Sequence, residues 1–251
     1  QDLIQMETIS KSAMDVLGAC VKGRLNIIIS GGTGSGKTTT LNVLSNFIPE
    51  DERIITVEDA AELSLNQPHI VRLESRPANS EDRGLVTIRD LVKNSLRMRP
   101  DRIILGECRA GEAFDMLQAM NTGHEGSMAT VHANSPRESL SRMEQMVTMS
   151  GYAISQTSIR QQIARGVGLI VQLNRLSDGK RKVTSVSEIT DMEGDIIQMQ
   201  EIYHFKRTGI GPDGAILGEF RATGIRPRFA EDLVTRGVVF PSTYFDPAKP
   251  L

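Results

Sequence analysis

The sequence predicts an α/β fold: a core with a mainly parallel sheet, followed by a C-terminal antiparallel β-meander. Up to residue 166, short apolar runs rich in β-branched residues alternate with longer amphipathic segments, which is typical of βαβ units. After residue 166, four apolar runs follow one another, separated by turns that contain Asp-Gly or Glu-Gly. We therefore expect a helical or linking segment at 1–24, the core at 25–166, and the meander with its tail at 167–251.

The composition is that of an ordinary globular protein. The chain has 251 residues, of which 39% are hydrophobic and 24% charged, and its formal net charge is −2. This charge gives no general attraction to nucleic acid or anionic lipid. Cys20 and Cys108 form no disulfide framework, and we expect them to be reduced and buried. No apolar run has the length of a membrane span, and no signal peptide is visible. Because the chain begins with Gln1, we expect it to be part of a longer protein.

Apolar runs, caps and breakers give the order of the elements. Helix starts are indicated by a capping box at Thr87 and by Ser135 before Pro136, and helix ends by Pro100 and Gly166. The predicted strands are 24–30, 53–57, 68–73, 101–107, 128–131, 167–176, 181–190, 196–206 and 215–222. Beyond the helices of the first segment, the predicted helices are 38–47, 87–99, 110–122, 136–149, 155–165 and 229–236.

A glycine-rich loop joins the first strand to the following helix. Gly31, Gly36, Lys37 and Thr38 fit the phosphate-binding pattern G-x-x-x-x-G-K-[ST]. Glycines let backbone N–H groups surround an anion, and the helix N-terminus adds unpaired donors. Lys37 can reach the β- and γ-phosphates, while the Thr38 hydroxyl can bind Mg²⁺. The predicted nucleotide-binding residues are Gly31, Gly32, Thr33, Gly34, Ser35, Gly36, Lys37, Thr38 and Thr39.

Acidic residues follow two further buried strands. Glu58 and Asp59 come after the strand at 53–57, and Glu107 ends the strand at 101–107. Ligands of open α/β sheets bind at these carboxyl ends. The first pair either handles metal or water, or forms an ordinary solvated loop. Gly106 and Glu107 stand where a phosphate-binding domain usually has an aspartate that contributes to the Mg²⁺ shell.

Histidines and arginines provide the remaining candidates. His124 and His132 flank the strand at 128–131 and suggest γ-phosphate sensing, and their neighbours do not have zinc-ligand spacing. Arg89, Lys93 and Arg97 fall on one face of a helix. That stripe is either a solvated face or a set of cations directed at phosphates, within one chain or across a subunit contact. No catalytic residue is evident in the meander.

Four blocks in this order resemble the secretion-superfamily ATPases of type II and type IV secretion and of type IV pili, and most of all the CpaF/TadA branch of tight-adherence (Flp) pilus systems. The blocks are the Walker A segment at 31–40, an Asp box at 56–63, an atypical Walker B segment at 97–109 and a His box at 123–135. The resemblance extends from about residue 25 to 229. Cys108, where relatives often carry an aliphatic residue, is the one departure.

The resemblance implies a RecA-like P-loop NTPase core that binds ATP or ADP with Mg²⁺. Glu58 and Glu107 match the positions that prepare the attacking water and hold Mg²⁺, and which of them is the base stays open. Thr38 and Glu107 would contribute to the Mg²⁺ site, His132 would lie near the γ-phosphate, and Arg97 is the best match to arginines that act across subunits. Arg72 and Arg76, like Arg89 and Lys93, are weaker candidates.

The resemblance also implies an assembly. Relatives are hexameric, act at the cytoplasmic face of the bacterial inner membrane without inserting into it, and push on a platform of pilus or secretion proteins. They usually carry an N-terminal domain that completes the nucleotide site, so a segment without one is expected to bind ATP weakly or to fail to assemble.

Two other functions fit the same fold. One is a nucleic-acid motor such as a helicase or recombinase, against which the acidic pI of about 6.2 and the 4% aromatic content argue. The other is a nucleotide-binding assembly subunit without turnover, against which Lys37, Glu58, Glu107 and His132 argue. A GTPase is not expected, because the N-K-x-D motif that reads guanine does not occur.

Overall fold

The computed structural model describes residues 2–81, 83–238 and 240–249. The strands are β1 (Ile27–Gly31), β2 (Ile54–Glu58), β3 (Ile70–Glu74), β4 (Arg102–Cys108), β5 (Met128–Val131), β6 (Leu169–Arg175), β7 (Arg181–Glu193), β8 (Ile196–Ile210) and β9 (Ile216–Ala222). The helices are α1 (Asp2–Gln5), α2 (Lys11–Lys22), α3 (Lys37–Ser45), α4 (Ile88–Ser95), α5 (Glu112–Asn121), α6 (Pro136–Thr148), α7 (Gln156–Gly166) and α8 (Phe229–Thr235), with a 3₁₀ turn at Ser242–Phe245.

The described strands form one nine-stranded sheet in the order β3-β2-β4-β5-β1-β6-β7-β8-β9. The strands from β3 to β6 run parallel, and β6 to β9 pair antiparallel through consecutive hairpins. The predicted fold class, a mainly parallel core with an antiparallel meander, is therefore confirmed. The meander continues the same sheet, because β6 pairs with β1 on one side and with β7 on the other.

Two predicted boundaries are displaced for a common reason. Arg24 was expected to start the first strand, and Arg99 to end the helix that begins after Thr87. Both residues have a positive φ, 60° and 53°, which neither a strand nor a helix accommodates. The strand therefore starts at Ile27 and the helix ends at Ser95. The predicted capping box at Thr87 is present, with reciprocal hydrogen bonds to Asp90.

Apolar side chains cover both faces of the sheet. One buried cluster lies under α1, α2, α3 and α8 and includes Ile27 and Ile29, while the cluster under α4 to α7 includes Ile28 between them. This alternation along one strand explains the continuous apolar run, since each face has its own helical layer. Cys20 and Cys108 are free and lie buried in these clusters. Within the described residues, no helix combines the length and hydropathy needed to cross a bilayer.

Buried polar side chains tie the amino ends of the strands together. Arg102, which is fully buried at the start of β4, forms a bidentate pair with Glu52 and donates to the carbonyls of Val21 and Gly126. A Cβ at Gly126 would lie 2.5 Å from the guanidinium, so the turn needs glycine there. These contacts join α2, the loop before β2, β4 and the turn before β5.

Replacing Arg102 should destabilise the fold strongly. In Arg102→Met the buried Glu52 carboxylate loses its bidentate partner, and we expect the free energy of unfolding to fall by about 3–5 kcal/mol. Urea denaturation followed by circular dichroism measures the change. The exposed pair of Arg83 with Glu81 serves as control, and Arg83→Met should change stability by less than about 0.5 kcal/mol. Equal stability of both variants would contradict the role given to Arg102.

Candidate functional site

The glycine-rich loop lies at the carboxyl end of β1 and leads into α3. Gly34 and Gly36 adopt left-handed conformations, with φ of 68° and 100°, which other residues rarely adopt. A Cβ at Gly31 would lie 2.4 Å from the Ser35 hydroxyl and 2.7 Å from the Leu173 carbonyl, so the loop has no room for a side chain there. The sequence spacing of glycines is therefore explained by backbone geometry and close packing.

Lys37 and Ser35 hold the loop in shape. The Lys37 ammonium donates to the carbonyls of Gly31 and Gly32 at 3.0 and 3.1 Å, and the Ser35 hydroxyl donates to the Gly32 carbonyl at 2.8 Å. Partial burial lowers the pKa of Lys37, while the nearby Glu107 carboxylate opposes that shift. The Ser35 side chain points into the loop. Although Ser35 is one of the predicted nucleotide-binding residues, its hydroxyl therefore stabilises the loop.

Two cavities meet at Lys37 and Thr38. The smaller one, about 160 Å³, lies between the loop and the carboxyl ends of β2 and β4, and both Glu58 and Glu107 line it. The larger one, about 660 Å³, lies on the other side of the loop. A chain of phosphates that reached Lys37 and Thr38 would therefore extend from one cavity towards the other.

Glu58 contributes a buried, free carboxylate oxygen to the smaller cavity. Its Oε1 accepts hydrogen bonds from the backbone N–H groups of Glu62 and Leu63, at 3.0 and 2.9 Å. Its Oε2 is buried and has no hydrogen-bond partner among the described residues. A buried carboxylate oxygen without a partner is costly, so this position is suited to a bound water or a hydrated cation.

Gly106 leaves space for the Glu58 side chain. A Cβ at Gly106 would lie 3.1 Å from Glu58 Cγ, closer than side chains normally approach. The Gly106 carbonyl also accepts a 2.6 Å hydrogen bond from the Thr130 hydroxyl. Glycine in place of the usual aspartate of the Walker B segment is thus required by the Glu58 side chain that crosses it.

Glu107 is paired with an arginine that the sequence analysis did not single out. Arg109 Nε donates to Glu107 Oε2 at 2.7 Å, and Arg109 Nη1 donates to Asp59 Oδ2 at 2.9 Å. These bonds raise the pKa of Arg109. Glu107 is near the end of β4 and Arg109 is the first residue after it, two positions along the chain, and that spacing was the available signal.

The larger cavity is built by the N-terminal segment and the β6–β7 hairpin, which lie far apart in the sequence. Leu3, Met6 and Thr8 form one wall, and Lys180 and Arg181 of the β6–β7 hairpin form another. Arg181 Nε donates to the Gly34 carbonyl at 2.8 Å. No catalytic residue was expected in the meander, but its hairpin contributes to the cavity wall, because β6 lies next to β1 and brings the hairpin back to the loop. A hairpin turn carries no sequence signal for this contact.

His124 and His132 lie at opposite ends of strand β5. His132 follows β5 directly and is exposed at the carboxyl edge, although its side chain lines neither cavity among the described residues. His124 precedes β5 at the amino edge, so the expectation that it senses phosphate is wrong, because the whole strand separates it from the loop. From the same block Thr130 lines the smaller cavity, and Asn134 lies beside the loop, since a Cβ at Gly32 would be 3.9 Å from its Oδ1.

The predicted arginines do not enter either cavity. Arg97 is exposed in the turn before β4, about 20 Å from the carboxyl end of that strand by its length, so it cannot reach the site of its own chain. Arg89 bonds Asp115 at 2.9 Å and the Ser150 carbonyl at 2.8 Å and lies over the Tyr152 ring, which gives it a structural role. The weaker candidates Arg72 and Arg76 donate to nearby backbone carbonyls.

A glycine loop followed by a lysine at the first turn of a helix, facing acids at two neighbouring strand ends, defines a P-loop nucleotide-binding α/β domain. The chain belongs to the family described as Type II/IV secretion system protein, which matches residues 1–210. The matched family confirms the resemblance to the type II and type IV secretion superfamily.

Similar proteins include ones named for conjugal transfer and type IV secretion. Over 209 residues the chain is 41% identical to the putative conjugal transfer protein Rv3659c of Mycobacterium tuberculosis, covering 83% of this chain and 58% of that protein. It is 40% identical over 181 residues to the type IV secretion system protein VirB11 of Bartonella quintana, covering 70% and 50%. The chain thus spans little more than half the length of these relatives.

Solved structures show the same fold. The VirB11 ATPase of the Brucella suis type IV secretion system, in complex with sulphate, has a TM-score of 0.64 at 33% identity, covering 74% of this chain and 56% of that one. The pilus retraction motor PilT with bound ADP has a TM-score of 0.54 at 24% identity, covering 71% and 51%, and supports the fold alone.

Alanine at position 106 should displace Glu58. Because the added Cβ would lie 3.1 Å from Glu58 Cγ, we expect Gly106→Ala to lower the free energy of unfolding by about 1–3 kcal/mol. Urea denaturation measures this change, and a crystal structure would show the moved carboxylate. Gly209→Ala is the matched control, since that strand glycine has no atom within 4 Å of a built Cβ. An unchanged Glu58 position in the variant would contradict the explanation.

Proposed function

We propose that this chain is the ATP-hydrolysing motor domain of a secretion or pilus-assembly machine. The observation that carries the proposal is the loop ammonium of Lys37 facing the Glu58 and Glu107 carboxylates across one cavity, in a chain of the Type II/IV secretion family. The similarity to a VirB11 protein whose structure is described as an ATPase supports hydrolysis. The substrates are ATP and water, and the products are ADP and phosphate.

The two cavities support a specific orientation of ATP. The β- and γ-phosphates lie where Lys37 and Thr38 border both cavities, and the nucleoside occupies the larger one. The Lys37 ammonium then exchanges its two loop carbonyls for phosphate oxygens, and the α3 N-terminus supplies further N–H donors. The wall of Leu3 and Met6 offers an apolar surface to the base.

Glu58 is suited to hold the attacking water. Its Oε2 is buried and free, while the Oε1 is fixed by two backbone N–H groups, so the carboxylate is oriented before substrate arrives. Glu107 is occupied by Arg109 in this arrangement. As water attacks, Lys37 neutralises the charge that develops on the transferred phosphoryl group.

The same residues fit Mg²⁺. The Thr38 hydroxyl and the Glu107 carboxylate border one cavity and are hard oxygen donors, and Mg²⁺ commonly keeps several waters and takes few protein ligands. Bound there, the ion would neutralise the phosphate oxygens during transfer. The free oxygen of Glu58 can accept a hydrogen bond from a water of the ion's shell.

His132 and Arg97 are proposed to act on the site from outside the two cavities, Arg97 from an adjacent subunit. His132 at the carboxyl edge lies beside the loop strand and is proposed to respond to the γ-phosphate. Arg97 lies at the opposite edge, so we propose that it serves the site of an adjacent subunit. Such an arrangement needs a closed ring, and a hexamer is the proposed state.

The finer assignment follows the sequence blocks. The residues of these blocks favour the CpaF/TadA branch. The protein would then drive Flp pilus assembly at the cytoplasmic face of the bacterial inner membrane, where it would act on platform proteins of that membrane. Conjugal transfer is what the name of the Mycobacterium tuberculosis relative indicates for that protein. Nothing in the site favours the alternative of a nucleic-acid motor.

Substitutions in the loop and at the strand end should separate binding from turnover. Lys37→Ala should weaken ADP binding about 10- to 100-fold, since it removes a charged donor to phosphate. Glu107→Gln should keep ADP affinity within about threefold and lower ATP hydrolysis about 100-fold or more, because the Mg²⁺ site loses a charged oxygen donor. Calorimetry and phosphate release measure the two effects. Unchanged turnover in both variants would refute the mechanism, and stimulation by DNA would favour a nucleic-acid motor.

The hairpin contact should matter for nucleotide affinity. Arg181→Ala removes a donor to the loop and a cation from the cavity wall, and we expect ADP binding to weaken about fivefold. Arg175→Ala is the control, because Arg175 is the partner of Arg181 across the hairpin and is exposed as well, but does not line the cavity. Titration calorimetry with ADP would show equal affinities if the hairpin were only a scaffold.

A further inference from the structure

Arg109 connects the acids at the ends of two neighbouring strands. Its Nε and Nη2 both meet Glu107 Oε2, and its Nη1 donates to Asp59 Oδ2 at 2.9 Å. Asp59 is held from behind, since its Oδ1 accepts a 3.0 Å hydrogen bond from the Ser75 hydroxyl. The guanidinium therefore bridges the end of β4 to the loop after β2, at the edge of the smaller cavity.

This pairing competes with the role proposed for Glu107. Arg109 engages Glu107 Oε2 twice, and the Glu107 carboxylate is the group proposed to contribute to the Mg²⁺ site. A carboxylate neutralised by a guanidinium attracts a second cation less, because part of its charge is already compensated. The Glu107 carboxylate can offer its full charge to the metal only after its ion pair with Arg109 is broken.

The exposure of the pair makes this exchange feasible. The side chains of Arg109, Asp59 and Glu107 are 64%, 51% and 27% exposed. Exposed ion pairs contribute little to stability, so each partner can leave at small cost. The bidentate pair of Arg102 with Glu52 differs, since both of its side chains are buried.

We propose that Arg109 is a removable counter-ion that holds Glu107 and Asp59 together until Mg²⁺-nucleotide binds. Glu107 then exchanges the guanidinium for the hydration shell of the metal, and Arg109 is released from it. Before that exchange two charged groups of the site are engaged within the chain, Lys37 by the loop carbonyls and Glu107 by Arg109. Arg109 is a positioning residue, and its role rests on the function proposed above.

The coupling between Mg²⁺ and nucleotide affinity tests this role without turnover. Titration calorimetry gives the dissociation constant of the ATP analogue AMP-PNP in excess MgCl₂ and in EDTA. The coupling is the dissociation constant in EDTA divided by that in MgCl₂. In Arg109→Ala this ratio should rise about two- to fivefold, or about 0.4–1 kcal/mol, since Glu107 no longer has to leave a partner. Arg109→Lys keeps the charge and loses the second arm, so its rise should be smaller.

The chain provides a matched control in Arg221. Glu219 and Arg221 have the same spacing on strand β9 and the same 2.7 Å contact between Arg Nε and Glu Oε1 or Oε2 as the site pair, but do not border either cavity. Arg221→Ala should leave the coupling unchanged. In a Glu107→Gln background, Arg109→Ala should have no further effect on the coupling, because the carboxylate it competes for is gone.

Three results would overturn the proposal. One is an unchanged or lower coupling in Arg109→Ala. A second is equal weakening of AMP-PNP binding with and without Mg²⁺, which would make Arg109 a phosphate ligand. The third is a full effect of Arg109→Ala in the Glu107→Gln background. If the parent chain binds no AMP-PNP at all while folded by circular dichroism, the proposed function itself fails, which is a distinct outcome.

Discussion

The side-chain amide of Asn26 is the contact on which the arrangement of the parallel strands depends. Asn26 stands just before β1, and its amide donates to the carbonyls of Met120 and Gly166 and accepts from the N–H of Ser127. Its own carbonyl accepts from residues 168 and 169 at the start of β6. One buried residue thus joins the ends of two helices to the starts of three neighbouring strands, and satisfies backbone groups that would otherwise be buried unpaired.

The consequence appears at the other end of the sheet. Asn26 fixes the amino ends of β1, β5 and β6, and Arg102 does the same for β4 and the loop before β2. Strands aligned at their starts bring their carboxyl ends to one edge, where the glycine loop, Glu58 and Glu107 meet. The buried polar contacts are distant from the chemistry, yet they determine the separation of the groups that carry it.

At the carboxyl ends of the strands, the charged groups of the site are held by contacts of different strength within the chain. Lys37 is held by loop carbonyls, Glu58 by backbone N–H groups on one oxygen only, and Glu107 by an exposed arginine. The larger cavity depends on parts of the chain far from the loop: Lys182 donates to the Glu7 carbonyl, and the Val183 N–H donates to the Thr8 carbonyl. These bonds attach the N-terminal segment to β7, so two segments that are distant in the sequence shape one site.

The sequence by itself determined the fold class, the phosphate loop and the acids at the strand ends, because spacing along one strand or helix fixes where a side chain points. The positive φ angles of Arg24 and Arg99 could not be predicted in this way, because arginine is not typical of that backbone conformation. Only the tertiary structure decided which groups meet: Arg181 with Gly34, Asn134 near Gly32, and His124 away from the site. These relations depend on strand order and on the edge of the sheet at which a residue emerges, and a local pattern contains neither. Gly106 shows both levels, since the sequence indicated its unusual position and the Glu58 side chain packed against it gives the physical reason.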